Sequence, residues 1–167
     1  MNFVRSQLRW SISRTIGPCA LLLLVVCASS AHSQSTFTSM AGSWSGSGLV
    51  QLRTGTHERV RCKASYITPS NGQSLKLELR CASDAYNFDL SSNIVQTGAS
   101  ILGDWFESTN RVGGKISGQN NGSVITARAE GDVVTALLTV KTTGSRQSFL
   151  MESPGAQVER VSIDLHR

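Results

Sequence analysis

Histidine and proline are scarce, three of each in 167 residues, and only 16 % of the residues are charged. The first thing this excludes is recognisable chemistry. His57 and His166 are the only histidines beyond residue 33, each without a neighbouring base, nucleophile or acid of the right type. A zinc site needs three or four His, Cys or carboxylate ligands at short spacing, and they are not there. No Ser/His/Asp set, phosphate loop or paired carboxylate stands out. Asp84 and Asp89 straddle a turn, while Asp104 and Glu107 fall on opposite faces of a strand and read as solvated surface. The expectation is a protein without metal, cofactor or catalytic residues.

Long apolar runs are missing as well. The longest, residues 19–28, has ten members, and as a helix it would rise about 15 Å, half a hydrocarbon core. It follows a segment holding Arg5, Arg9 and Arg14 and precedes the small residues Ser29, Ala31 and Ser33. That is the order of a secretory signal peptide over residues 1–33, cleaved after Ala31 or Ser33, with the mature chain beginning near Gln34. Leu24-Val25-Val26-Cys27 is the rival, a lipobox-like stretch that would anchor the chain through Cys27. Its bulky Val26 fits that motif poorly. The expected address is therefore exported and periplasmic, with membrane contact only through the signal.

Removing the leader also removes most of the positive charge. The formal +5 includes its three arginines, so 13 basic residues face 11 acidic ones afterwards, a balance of +2. Nothing there recruits a polyanion, and nucleic acid is not an expected partner.

Two cysteines remain, Cys62 and Cys81. Between them lies Pro69-Ser70-Asn71-Gly72-Gln73, and Asn-Gly suits a tight hairpin because both residues tolerate positive φ. With Asn71 and Gly72 at the turn, Tyr66 faces Leu77, Ala64 faces Leu79 and Cys62 faces Cys81. Opposed Cα atoms about 4.5–5.5 Å apart lie within bridging range, so a structural disulfide is expected rather than a redox pair.

The same hairpin alternates cleanly. Arg59, Arg61, Lys63, Lys76, Glu78 and Arg80 occupy one face, and Val60, Tyr66, Leu75, Leu77 and Leu79 the other. Turn signals then recur every ten to fourteen residues or so, at Thr54-Gly55, Gly98-Ala99, Thr109-Asn110, Asn120-Asn121-Gly122, Glu130-Gly131, Thr143-Gly144 and Pro154-Gly155. Turning at Asn121-Gly122 pairs Ile116 with Ala127. Turning at Glu130-Gly131 pairs Ala127 with Val134, and turning at Thr143-Gly144 pairs Leu138 with Phe149. No helical period occurs after residue 34. A long sheet that is apolar on one face buries it by closing, so a single all-β domain over residues 34–167 is predicted. Its architecture is an up-and-down antiparallel barrel of eight to ten strands, with a two-sheet sandwich as the alternative. A monomer is expected.

The first predicted strand carries Gly42-Ser43-Trp44-Ser45-Gly46-Ser47-Gly48, and Gly103-Asp104-Trp105 recurs mid-chain. Gly-x-Trp opening a meander resembles the calycin superfamily, the lipocalins and their relatives. The resemblance implies that Trp44 closes one barrel end beneath a basic residue of the last strand, residues 158–165; Arg160 is the candidate, with Arg167 second. The longer pattern, through Arg61-Cys62-Lys63-Ala64-Ser65-Tyr66 to Leu79-Arg80-Cys81-Ala82-Ser83-Asp84, resembles small exported proteins of alphaproteobacteria without an assigned activity. It implies a periplasmic address and transfers no catalytic residue.

Three functions follow as expectations. The first is non-enzymatic binding of a small apolar ligand inside the barrel. Its pocket candidates are Tyr66, Leu77 and Leu79, then Tyr86, Phe88 and Trp105, then Leu138, Phe149 and Met151. No inward Arg awaits a fatty-acid carboxylate. The second is a cell-envelope protein-interaction or protease-inhibitor-like module working through the outward Arg59, Arg61, Lys63 and Arg80. The third is an outer-membrane barrel with its charged face inward and its apolar face toward lipid. Asn121-Gly122-Ser123 matches a glycosylation sequon, meaningful only in a eukaryotic secretory path.

Overall fold

A computed structural model describes residues 36–167. The leader, its cleavage site and Cys27 lie outside the described residues.

Alternation every second residue over short runs, punctuated by glycine turns, gives strands here throughout. They are β1 Gly42–Leu52, β2 His57–Ile67, β3 Ser74–Ala82, β4 Asn87–Thr97 and β5 Ser100–Glu107, followed by β6 Val112–Asn120, β7 Val124–Gly131, β8 Thr135–Thr143, β9 Arg146–Glu152 and β10 Val158–His166. Each pairs antiparallel with its chain neighbours, and β10 pairs with β1, so the sheet closes as a ten-stranded up-and-down barrel. The sandwich is excluded, because no strand edge is left open in the closed ring.

Apolar side chains point inward and charged ones, Glu58 and Glu107 apart, outward, the reverse of what the outer-membrane alternative requires. Val60, Cys62, Ala64 and Tyr66 are buried on β2, whereas Arg59, Arg61 and Lys63 between them are exposed. A few apolar residues also face out, among them Leu102 and Val95, which oppose each other.

A short helix, α1 Thr36–Met40, precedes β1. Five residues are too few to show a period, which is why the sequence gives no sign of it. Phe37 and Met40 are 0 % and 2 % exposed and join Trp44 in the core. Gly42, with φ 114°, makes the bend between α1 and β1 that a Cβ would strain.

The hairpin between β2 and β3 has the predicted register, Cys62 opposite Cys81 and Tyr66 opposite Leu77. Its turn is looser than a two-residue corner, with the Gly72 N–H donating to the Pro69 carbonyl at 2.9 Å.

Further along, the expected partners slip. Ile116 pairs with Ala129 rather than Ala127, Ala127 with Leu138 rather than Val134, and Leu138 with Met151 rather than Phe149. The turns centre on Gly122-Ser123, Asp132-Val133 and Gly144-Ser145, closed in the first two by Asn121 N–H to Val124 O and Gly131 N–H to Val134 O. Each slip is an even number of residues, so facing is preserved while partners change.

Candidate functional site

The two barrel ends differ. At one end β1 begins, and Trp44, Tyr66, Leu75, Ile101, Ile125 and Leu165 pack there with Phe37 and Met40 of α1. Trp44 is fixed from three sides. Its Nε1 donates to the Met40 carbonyl at 2.7 Å, Tyr66 meets it edge-on with centroids 6.5 Å apart, and the Arg167 guanidinium lies 4.7 Å from its ring centroid.

Arg160 does not fill that role. It pairs across from Gln51 toward the opposite end of β1 and meets Glu152 at 3.4 Å. His166, by contrast, lies opposite Ser45, which brings Arg167 level with Trp44. The cation–π contact is made by the second candidate, because height along the barrel decides it.

Tyr66 is also core rather than pocket wall, at 6 % exposure. Its hydroxyl donates to Gln147 Oε1, and Gln147 Nε2 donates to Thr142 Oγ1 at 3.0 Å. Burial pushes the Tyr66 phenol far above its ordinary pKa, and the Gln147 bond offsets only part of that.

Away from this plug the interior changes character. Leu77, Leu90, Leu138, Val140, Phe149 and Val161 have inward parity yet are only half-buried. Each stands between two hydrogen-bonded neighbouring strands, so an inward side chain there is reachable only from within. A barrel filled by its own side chains would seal these positions. Beyond the plugged Trp44 end the inward face is thus incompletely filled, a cup-like space toward the far end, where Leu52, Phe88 and Val158 are half-buried.

Of the nine expected pocket residues, Leu77, Phe88, Trp105, Leu138, Phe149 and Met151 are half-buried inward residues of this cup. Leu79 is sealed at 3 % exposure. Tyr86 is not on a strand; it sits in the turn between β3 and β4, its N–H donating to Ser83 Oγ at 2.9 Å. Trp105 faces Ser92 on β4 and Gly114 on β6, with Gly131 of β7 next in the row. A Cβ on Gly131 would sit 3.0 Å from Trp105 Cζ2, so the ring occupies space that this glycine leaves.

The disulfide joins Cys62 and Cys81, whose Cα atoms are 4.1 Å apart. Outside, Lys63 stands opposite Arg80. Arg80 pairs with Asp89 at 3.1 Å, while Arg59, Arg61 and Lys63 form no ion pair among the described residues and remain solvated.

Glu107 is the residue that sequence reasoning misplaces. Its inward parity and 2 % exposure contradict a solvated surface carboxylate, whereas Asp104 is exposed and pairs with Lys115. Glu107 accepts from the N–H groups of Asp89 (3.1 Å), Thr109 (2.8 Å) and Asn110 (2.7 Å), and from Asn110 Nδ2 (2.7 Å). Burial pushes its carboxyl up, but the backbone and side-chain donors outweigh that and hold it below the usual range. It ties the turn between β5 and β6 at the mouth.

No protein-family model matches the chain, and no curated protein matches it. Two solved structures share its architecture. The S-type phycobiliprotein lyase CPES from Guillardia theta aligns with a TM-score of 0.54 at 9 % identity, over 78 % of this chain and 89 % of that one. Rv2717c from M. tuberculosis aligns with a TM-score of 0.65 at 14 % identity, over 82 % of this chain and 98 % of that one. Such identities carry the fold alone. With the closed ring of ten strands, they make the architecture calycin-like.

Proposed function

We propose that this protein is an exported, non-enzymatic binder that holds one small apolar molecule inside the barrel. The observation carrying this reading is the half-exposure of mid-strand inward residues, Leu138 and Phe149 above all, beside a plugged end that excludes water. An apolar cavity with one open mouth is the ordinary form of a small-molecule site. That the S-type phycobiliprotein lyase shares this fold is compatible with a barrel that takes a guest. The disulfide and the apolar run of the leader support an oxidising, exported setting, the periplasm, where no membrane anchor is required.

Uptake of the neutral dye N-phenyl-1-naphthylamine by the purified protein tests this. Saturable fluorescence enhancement is expected, and Leu138→Trp, which fills the cup, should weaken it by about ten-fold or more without changing the far-ultraviolet dichroism. No saturable uptake, together with no guest retained in native mass spectrometry of protein from its own host, would refute the reading.

A further inference from the structure

We propose that the guest is a neutral molecule whose apolar body carries one hydrogen-bond acceptor, read by the indole N–H of Trp105. This rests on the cup reading above and adds to it the chemical class of the ligand.

Trp105 Nε1 is buried and donates to nothing among the described residues. None of the neighbouring polar groups accepts from it. Ser92, directly across from Trp105, donates to the Asp104 carbonyl at 2.8 Å. Glu107 is saturated by four donors, and Trp44, the other described indole, donates to Met40. A buried donor without an acceptor is costly and uncommon, and where one persists in a binding cavity the missing acceptor is most simply the guest's. On the next two strands Gly114 and Gly131 present no side chain beside the ring.

Charge narrows the class further. Every Lys and Arg on the strands has outward parity, so none lines the cup. Glu58 opposes Val50 and so belongs to the inward set at the mouth, half-buried and without an ion pair among the described residues. Inside the strands an anionic head would meet this carboxylate and no cation, Arg53 and Arg111 being exposed on the turns beyond; a carbonyl, ether or ester oxygen would meet the indole.

Displacement of bound N-phenyl-1-naphthylamine by three matched probes tests the proposal: 2-acetylnaphthalene, its isostere 2-isopropylnaphthalene, and 2-naphthoate. Trp105→Phe keeps an aromatic side chain, though a smaller one, and deletes the donor. It should weaken the ketone by about three- to ten-fold and leave the hydrocarbon within about two-fold. In the wild type the naphthoate should bind at least about ten-fold more weakly than the ketone. If the variant does not fold, the wild-type indole ¹⁵N–¹H resonance of Trp105 gives the answer, shifting with the ketone and not with the hydrocarbon. Equal losses for both neutral probes in the variant, a resonance that ignores the ketone, or naphthoate binding as tight as the ketone would overturn this inference while leaving the cup intact. Failure of the dye itself to bind would instead strike the cup reading.

Discussion

The guanidinium of Arg167 stands 4.7 Å from the centroid of the Trp44 ring, and its Nη1 donates to the Ala41 carbonyl at 2.8 Å. One side chain thus ties the end of β10 both to the indole that plugs the barrel and to the backbone just before β1. Because β1 and β10 are the pair that closes the ring, this contact fastens the seam at its plugged end.

Arg167→Ala should therefore lower stability by about 1–2 kcal/mol, the sum of a cation–π contact and a charged hydrogen bond. Arg160→Ala loses only a half-exposed pair with Glu152 at 3.4 Å, and should cost less than about 0.5 kcal/mol. Urea denaturation midpoints of the two variants measure this directly. Equal effects would mean that the Trp44 contact contributes nothing.

Reduction of Cys62–Cys81 frees a loop of sequence separation 19. On the chain-entropy account the bond contributes about 3 kcal/mol. The Cys62→Ala, Cys81→Ala double variant should lose that amount and become insensitive to reductant, whereas the wild type should lose it only when reduced. Free-thiol titration of the unfolded, unreduced chain should find neither cysteine available.

What was legible in the sequence depended on parity. The cysteine register needed only the centre of one turn, and Pro69 to Gln73 gives that centre even though the turn is looser than a two-residue corner. From β6 to β9 the turn centres lie one or two residues beyond the expected ones, at corners where several polar or glycine positions compete. Partners moved by two or four residues, and since facing repeats every two, Ile116, Ala127, Leu138 and Met151 still point inward. Height along the barrel is a different matter. It accumulates from register around the ring, and so the indole that the sequence offers to Arg160 is covered by Arg167. Glu107 was lost for another reason. A carboxylate at a strand end says nothing in sequence about the backbone N–H groups that will converge on it, two from its own turn and one from the neighbouring β4.

Glu107 also sets an acid limb. Its carboxyl titrates lower in the folded chain than in the unfolded one, so the stabilisation is fully present above the ordinary glutamate range. It is lost as pH falls through the depressed folded value, where both states become protonated. Glu107→Gln cannot satisfy the same donors and should cost about 2 kcal/mol at neutral pH. The gap between wild type and variant should narrow steadily as the medium is acidified below about pH 4. Denaturation series at several pH values check this; a gap that stays constant would show that the ionised form is not what the turn holds.

Tyr66 sets the opposite limb. Its phenol is raised far above the ordinary value of 10.0, first by burial and only partly offset by Gln147, so folding retains a proton that the unfolded chain gives up. The stabilisation is complete below about pH 10 and declines as pH rises above it, because only the unfolded state then ionises. Tyr66→Phe removes the hydroxyl and with it this slope, at the cost of leaving Gln147 Oε1 without its donor, about 1–2 kcal/mol at neutral pH. Wild type and variant should converge as the medium is made more alkaline. In the wild type the phenolate absorbance of Tyr66 should appear together with unfolding, followed by dichroism in the same sample. A Tyr66 that ionises while the barrel is still folded would mean that water reaches the plugged end, and the contrast between plug and open cup would then be lost.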